Sequence, residues 1–431
     1  MNELGNILIA GTGPAAVQCA VLLRALPGEL GIAGRASRRS DAFFAALDAN
    51  AGIAQVQVQN TGHAALAGRA CIDHRYRSYQ QVRGVWGTLV LAVTADAYLP
   101  VLRDLPQAVL DTIARIVLLS PTLGSAALVR EFARSSGADP EIISLSSYLA
   151  DTRQVEGAGG ALVLTAGAKN RIYAGSTGGD TPALQRVRAV HAAAGTQVKL
   201  MGLPVEAEAR NMSLYVHPAL FFNEVALRAV FTPAPSTQYV YKLYPEGPVT
   251  PALIHSMAEA WRELSAITTA LGGQPVNLLA FMLDDGYPVH PQSIAPGKAA
   301  SFEQLPAVEQ EYLLYVRYAS LLIDPFSQPD ELGRYFDFSA IAFRPVFRND
   351  QDEWDVPRMP KEDYYRTKII AGMARKLAVP CPMLDSLLGA YEKALAQAAE
   401  ARKGENCSPA FAVQDFAADL DMISAGIGCA A

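Results

Sequence analysis

Up to about residue 205 the chain alternates short apolar runs with stretches that carry apolar residues at helical spacing. Ile7–Ala10, Leu89–Val93, Ile116–Leu119, Ile142–Leu145 and Ala161–Leu164 are four or five residues long and nearly continuous in Val, Ile, Leu and Ala. Strands buried on both faces read this way. Between them Ala15–Leu26 and Tyr98–Leu105 have helical periodicity. The alternation predicts a parallel sheet with helices on both faces.

From about Val205 the texture changes. Asn223–Val230, Pro251–Leu271, Leu305–Leu322 and Glu362–Leu377 are long helical patterns separated by Pro and Gly clusters, and strand runs become rare. A chain of 431 residues exceeds one ordinary core, so two domains are expected, residues 1–205 and 206–431, the second mostly helical. The aromatic and leucine-rich Gln310–Tyr318 reads as core. The tail beyond Lys403 reads as a last short helix and a loose end.

Composition narrows the class. Hydrophobic residues are 51% and charged ones 18%, which suits a well-packed globular enzyme. A net charge of -6 argues against nucleic acid and anionic membranes as partners. Cys19, Cys71, Cys381, Cys407 and Cys429 are scattered singly, with neither a metal-ligand spacing nor a disulfide framework, as in a reducing compartment. The N-terminus MNELGN has no leader pattern and no apolar run reaches ~18 residues, so a complete cytoplasmic protein is expected.

The chemistry begins where the first run meets the first helix. Gly11-Thr12-Gly13-Pro14-Ala15-Ala16 is a dinucleotide-binding turn with alanine in the third small position. Gly11 permits the tight turn, Gly13 lets a pyrophosphate approach the backbone, and Ala16 keeps helix and strand close. Pro14 suits the first helical position, and the free amides face the anion at the positive end of the helix dipole. A Rossmann-type N-terminal domain follows.

An acidic residue at the end of the second strand would grip the free ribose hydroxyl of NAD. Here GIAGRASRRS supplies Arg35, Arg38 and Arg39 instead, which suits a 2'-phosphate, so NADPH is the expected cofactor. Thr94-Ala95-Asp96 and Ser120-Pro121-Thr122-Leu123-Gly124 follow later strands and should border the nicotinamide. Asp151 lies on a comparable edge or caps a helix.

In the second half, Asn211 precedes His217-Pro218 and an apolar stretch. Further on stand Tyr241-Lys242-Leu243-Tyr244-Pro245-Glu246-Gly247-Pro248, Asp284-Asp285-Gly286-Tyr287-Pro288-Val289-His290, Asp324-Pro325-Phe326-Ser327 and Arg334-Tyr335-Phe336-Asp337-Phe338-Ser339. Taken together, these segments resemble the opine dehydrogenase family, in particular its staphylopine, pseudopaline and yersinopine branch in nicotianamine-like metallophore pathways. The resemblance implies an NADPH-dependent reductive condensation of an aminobutyrate-bearing histidine with an α-keto acid, pyruvate or α-ketoglutarate, in a cleft between the domains.

That chemistry needs a group that takes and returns protons near neutral pH, and His217 is the candidate. The resemblance implies a carboxylate partner from the segment beginning Pro360-Lys361-Glu362-Asp363, where Glu362 and Asp363 compete for the role. By themselves the two would read as first-turn helix acids. Asn211 and Tyr241 are expected at the substrate, and Lys242, Arg344 and Arg366 are candidates to hold its carboxylates. His255 and His290 lack a comparable context, and no metal site is expected. Partners are therefore small molecules, with a homodimer expected. A reductase of a hydroxy acid or polyol phosphate, and an NADP-binding sensor without chemistry, are the competing readings.

Overall fold

The computed structural model describes residues 3–232, 236–284, 289, 291–321 and 341–428. Outside them lie residues 285–288 and His290, the Asp324–Ser327 and Arg334–Ser339 motifs, Leu322 and Cys429. The chain forms two compact units: residues up to Asn211, joined by those from Asp421 onward, and residues 212–420. The return of the C-terminal residues to the first unit has no signal in the sequence pattern.

The first unit holds β1 (Ile7–Ala10), β2 (Leu30–Ala33), β3 (Ile53–Val58), β4 (Gly68–Cys71), β5 (His74–Tyr76), β6 (Thr88–Leu91), β7 (Arg115–Leu118), β8 (Glu141–Leu145), β9 (Ala150–Gln154), β10 (Leu162–Ala168), β11 (Arg171–Ser176) and β12 (Gln197–Leu200). Eight of them form one sheet in the order β12-β11-β8-β7-β6-β1-β2-β5, and β4-β3-β10-β9 form a smaller one. In the large sheet every pairing is parallel except that of β11 with β8. Ile9 pairs with Ile32 on one side and Val90 on the other, and all of β1, β2 and β6 is buried, as the continuous apolar runs require.

Four of the five apolar runs fall in this large sheet as β1, β6, β7 and β8. The fifth, Ala161–Leu164, does not. It enters β10 of the smaller sheet, where buried and half-buried positions alternate at its start. The run was too short to reveal that period.

Helices α1 (Pro14–Leu23), α2 (Arg38–Ala49), α3 (Tyr98–Asp104), α4 (Gln107–Leu110), α5 (Ser125–Ser135), α6 (Pro182–Ala193) and α7 (Pro204–Glu208) complete the first unit. Ser37 caps α2 by accepting from the Ser40 amide, and Thr181 caps α6 in the same manner at Leu184.

The second unit holds α8 (Met212–Phe221), α9 (Glu224–Phe231), α10 (Pro251–Ala270), α11 (Leu278–Asp284), α12 (Pro296–Ala300), α13 (Ala307–Leu321), the hairpin β13 (Phe347–Arg348) and β14 (Trp354–Asp355), α14 (Arg358–Lys376), α15 (Pro382–Glu400) and α16 (Ala417–Gly428), the last running on into the first unit. α8 is buried from Leu214 through Phe221, an all-round apolar helix that must lie inside its unit. It packs on α10 and α14. Glu263 of α10 accepts from the Met383 and Leu384 amides, so a buried carboxylate satisfies the start of α15. Gln310, Leu313, Leu314, Arg317 and Tyr318 of α13 are buried.

Candidate active site

In the first unit the chain leaves β1 through Gly11, whose φ is +127°. A Cβ there would stand 2.5 Å from the Ala92 carbonyl oxygen at the end of β6, so only glycine fits. Gly13 is the N-cap of α1, and its carbonyl accepts from the Ala16 and Val17 amides. Among the described residues, no backbone acceptor takes the amides of Thr12, Gly13 and Ala15, and nothing stands within 4 Å of a Cβ at Gly13. Pro14 adds no donor. The result is an open row of N–H groups at a helix start, which favours an anion. β2 and β6 lie on opposite sides of β1, so this turn occupies the point where the strand order reverses. Thr94 and Ala95 follow β6 beside it, with Thr94 half-buried.

At the end of β2 a second cradle forms. A Cβ on Gly34 would meet the Ser40 hydroxyl at 2.5 Å and the Thr12 methyl at 2.7 Å. The Ser40 hydroxyl is buried with no hydrogen-bond partner among the described residues. Arg35, Arg38 and Arg39 are all exposed here, and no ion pair engages them among the described residues. Three guanidiniums thus stand around the start of a helix capped by Ser37, a concentration of positive charge.

One residue expected at this edge stands elsewhere. Asp151 lies in β9, the antiparallel edge of the smaller sheet, exposed and paired with Arg153 at 2.6 Å. It neither borders the crevice of the large sheet nor caps a helix; the run before it leads into the second sheet, which sequence texture did not separate. Asn211 is buried in the first unit, its Nδ2 donating to the Pro121 carbonyl at 3.3 Å.

The second unit contains His217, the expected acid–base candidate. His217 stands in the middle of α8, with Pro218 inside the helix rather than ahead of it. Pro218 has no N–H to give, and the ladder resumes as the Phe222 amide reaches the Pro218 carbonyl. The His217 ring donates from Nδ1 to Asp363 Oδ1 at 2.8 Å; the two residues are only 7% and 2% exposed. An ionised carboxylate accepts only, so Nδ1 carries the proton and Nε2 is left as the basic edge. The Tyr241 hydroxyl lies 3.5 Å from Nε2, and Phe221 covers the ring edge-on at 5.1 Å, with Phe343 against Phe221.

Of the two competing carboxylates, Asp363 makes the histidine contact. Glu362 faces cations instead: Arg358 Nε donates to its Oε2 at 2.7 Å, and Arg366 donates to its Oε1. Burial alone would push the Glu362 carboxyl up, but Arg366 and Arg358 outweigh it and hold it below the usual carboxylate range. Arg366 is buried in this pair and approaches Asp363 Oδ1 at 4.0 Å, so it braces the dyad rather than standing open to a ligand. Lys242 lies 3.6 Å from Glu246 and over the Tyr239 ring. Arg344 is exposed beside Phe343 and has no ion pair among the described residues. His255 lies on α10 with Glu311 at 3.0 Å; the ligand atoms of His255, Glu259 and Glu311 fall within 4.8 Å of one another, on the surface.

Sequence reasoning missed Arg358, which lies ahead of a break in helical backbone at Met359 (φ -102°, ψ 115°), so its reach to Glu362 is not set by regular helical spacing as that of Arg366 is. It also missed Ser40 and Phe343, whose parts depend on folding over long sequence distance.

A Rossmann-type unit with a bare glycine turn and a helical unit with a buried His–Asp dyad define a two-unit dehydrogenase. The family description "Staphylopine dehydrogenase" matches residues 5–427. The chain is 40% identical to the staphylopine synthase of Staphylococcus aureus over 98% of both chains, and 39% identical to the pseudopaline synthase of Pseudomonas aeruginosa over 95% of this chain and 94% of that one. A yersinopine dehydrogenase solved with NADP+ bound superposes with a TM-score of 0.92 at 31% identity, covering 100% of both chains. The chain belongs to the staphylopine dehydrogenase family and is an opine dehydrogenase. Among the described residues no helix is long and apolar enough to cross a membrane.

Proposed function

We propose that this opine dehydrogenase uses NADPH to join the amine of an aminobutyrate-bearing histidine to an α-keto acid, pyruvate or α-ketoglutarate, giving an opine metallophore. The observation that carries the acid–base part is the buried 2.8 Å contact of His217 with Asp363. The names of the related staphylopine and pseudopaline synthases support the substrate class, and the NADP+ of the related yersinopine dehydrogenase supports the cofactor.

The first unit fits a phosphorylated dinucleotide. The amides of Thr12, Gly13 and Ala15 would hold the pyrophosphate, Arg35, Arg38 and Arg39 the 2'-phosphate, and Ser40 offers a hydroxyl with no partner among the described residues. Thr94 would border the ring. Bound NADPH supplies a hydride to the carbon of a substrate C=N bond.

The chain's own groups manage protons and charge. The substrate amine must lose a proton to attack the keto carbon, and the keto oxygen must gain protons to leave as water. His217 Nε2 is the group that accepts the first and returns it to the second. Asp363 keeps Nδ1 protonated and stabilises the imidazolium while the proton is held. Tyr241, 3.5 Å from Nε2, would orient the reacting polar atoms. Arg344 and Lys242 are the candidates for substrate carboxylates, since Arg366 is committed to Glu362. A cytoplasmic homodimer completes the reading, supported for the compartment by four free cysteines among the described residues.

The test follows NADPH absorbance with the aminobutyrate–histidine amine and each keto acid, in wild type and His217→Ala. Turnover by wild type and its loss in the variant are expected. No oxidation by wild type with either keto acid would remove the substrate assignment.

A further inference from the structure

Glu208 is a carboxylate at 1% exposure in the first unit that neither the glycine turn nor the acid–base dyad uses. Its Oε2 accepts from the Gly124 amide at 2.9 Å, and its Oε1 accepts from the Ala126 amide at 2.7 Å and the Ser144 hydroxyl at 2.9 Å. Gly124 is the N-cap of α5, with φ +89° and no side-chain cap of its own. A helix start leaves amides unsatisfied and gathers positive charge, so it takes an anion. At α1 that place is open, whereas at α5 the chain fills it with Glu208.

The loop so held runs from Ser120 to Gly124 at the carboxyl end of β7, which pairs with β6. Other bonds fix the same loop: Asn211 Nδ2 to the Pro121 carbonyl at 3.3 Å, and the Thr122 amide to the Ser125 hydroxyl at 2.9 Å. Asn211 lies three residues after Glu208, so one connector supplies two ties. Open sheets take ligands at this edge, beside the strand reversal.

We infer that Glu208 is a positioning residue for the dinucleotide site, an internal carboxylate that substitutes for a helix cap and sets the Ser120–Gly124 loop at the edge where the cofactor's nicotinamide end binds. The inference rests on the dinucleotide reading of the first unit. Glu208→Gln keeps the shape but turns an N–H group toward a backbone N–H, so it separates charge from packing. Ser144→Ala removes one of the three donors and leaves the carboxylate.

The experiment measures NADPH affinity by fluorescence, KM for NADPH and for the keto acid, and Tm, on the full chain with Glu208→Gln and Ser144→Ala. For Glu208→Gln an increase of about tenfold in the NADPH Kd and KM is expected, the scale of one bond to a charged group, with the keto acid KM unchanged. Ser144→Ala should shift the NADPH values in the same direction by less. A lower Tm with NADPH Kd and KM unchanged in both variants would mean a purely structural part and overturn the inference. Wild type that binds no NADPH would sink the dinucleotide reading first, and the inference with it.

Discussion

His217 Nδ1 lies 2.8 Å from Asp363 Oδ1, while the adjacent Glu362 is held by Arg358 and Arg366 and makes no hydrogen bond with the ring among the described residues. Successive residues on α14 thus carry carboxylates with opposite tasks. One orients an imidazole; the other balances the buried Arg366 that approaches the first.

Asp363→Asn should therefore replace the acceptor-only carboxylate that fixes the tautomer with an amide that can also donate, and leave the fold in place. A loss in kcat of about 10²- to 10⁴-fold is expected, with the KM for NADPH nearly unchanged. Steady-state kinetics check it. A variant within a few-fold of wild type would mean that the dyad takes no part in proton transfer.

Glu362→Gln should divide differently. It strands Arg366 in a buried site, and breaking a buried ion pair costs about 3–5 kcal/mol. The midpoint in urea should fall steeply, while the activity of the folded fraction drops far less than in Asp363→Asn. Equal kinetic damage in both would contradict the separate roles.

Most of the first unit was legible because its information is local. A four-residue apolar run, a glycine turn and a proline at a helix start are read within one short stretch, and β1 and α1 formed there. The smaller sheet was not legible, since β9 carries little apolar bias and β10, whose apolar start reads like a strand of the large sheet, pairs with β3 far away in sequence. In the acid–base site the residue types at His217 and Asp363 were readable by resemblance alone. Their contact joins positions 146 apart, which no periodicity reports, and the choice between Glu362 and Asp363 required coordinates.

The cofactor assignment has its own check. Replacing Arg35, Arg38 and Arg39 together by Ala should raise the KM for NADPH by about 10- to 100-fold and leave that for NADH nearly unchanged, since only the former carries the 2'-phosphate. The wild-type preference should also weaken with salt, because the three guanidiniums are exposed. An unchanged ratio of the two cofactors would place the phosphate elsewhere.

Gly11→Ala tests the turn itself. The added methyl group would stand 2.5 Å from the Ala92 carbonyl oxygen, and φ +127° is strained for any side chain. Backbone must shift at the end of β1, so NADPH binding should fall more than tenfold, with a loss of about 1–3 kcal/mol in stability. Calorimetric titration and melting measure both. Binding at wild-type strength would show that the turn does not touch the cofactor.

Two buried acids, Glu208 and Glu362, should pull the pH dependence of stability in opposite directions. Burial pushes the Glu208 carboxyl from 4.5 up to about 7, against the smaller lowering by the Ala126 amide, the Ser144 hydroxyl and the Gly124 amide. Between those two values the folded chain keeps a proton that the unfolded chain has lost. Its contribution is therefore full below the unfolded pKa and disappears as pH rises through 7, a span of roughly 3 kcal/mol at most. Glu362 is held low, so its contribution is present above the unfolded pKa and lost as pH falls through the folded one. Denaturation followed from pH 4 to 8 should then show a flatter decline between about 4.5 and 7 in Glu208→Gln than in wild type. In Glu362→Gln the acid-side loss should shrink. If Glu208→Gln keeps the wild-type slope across that window, the buried carboxyl is already ionised there, and the amides of α5 stabilise its charge more than burial opposes it.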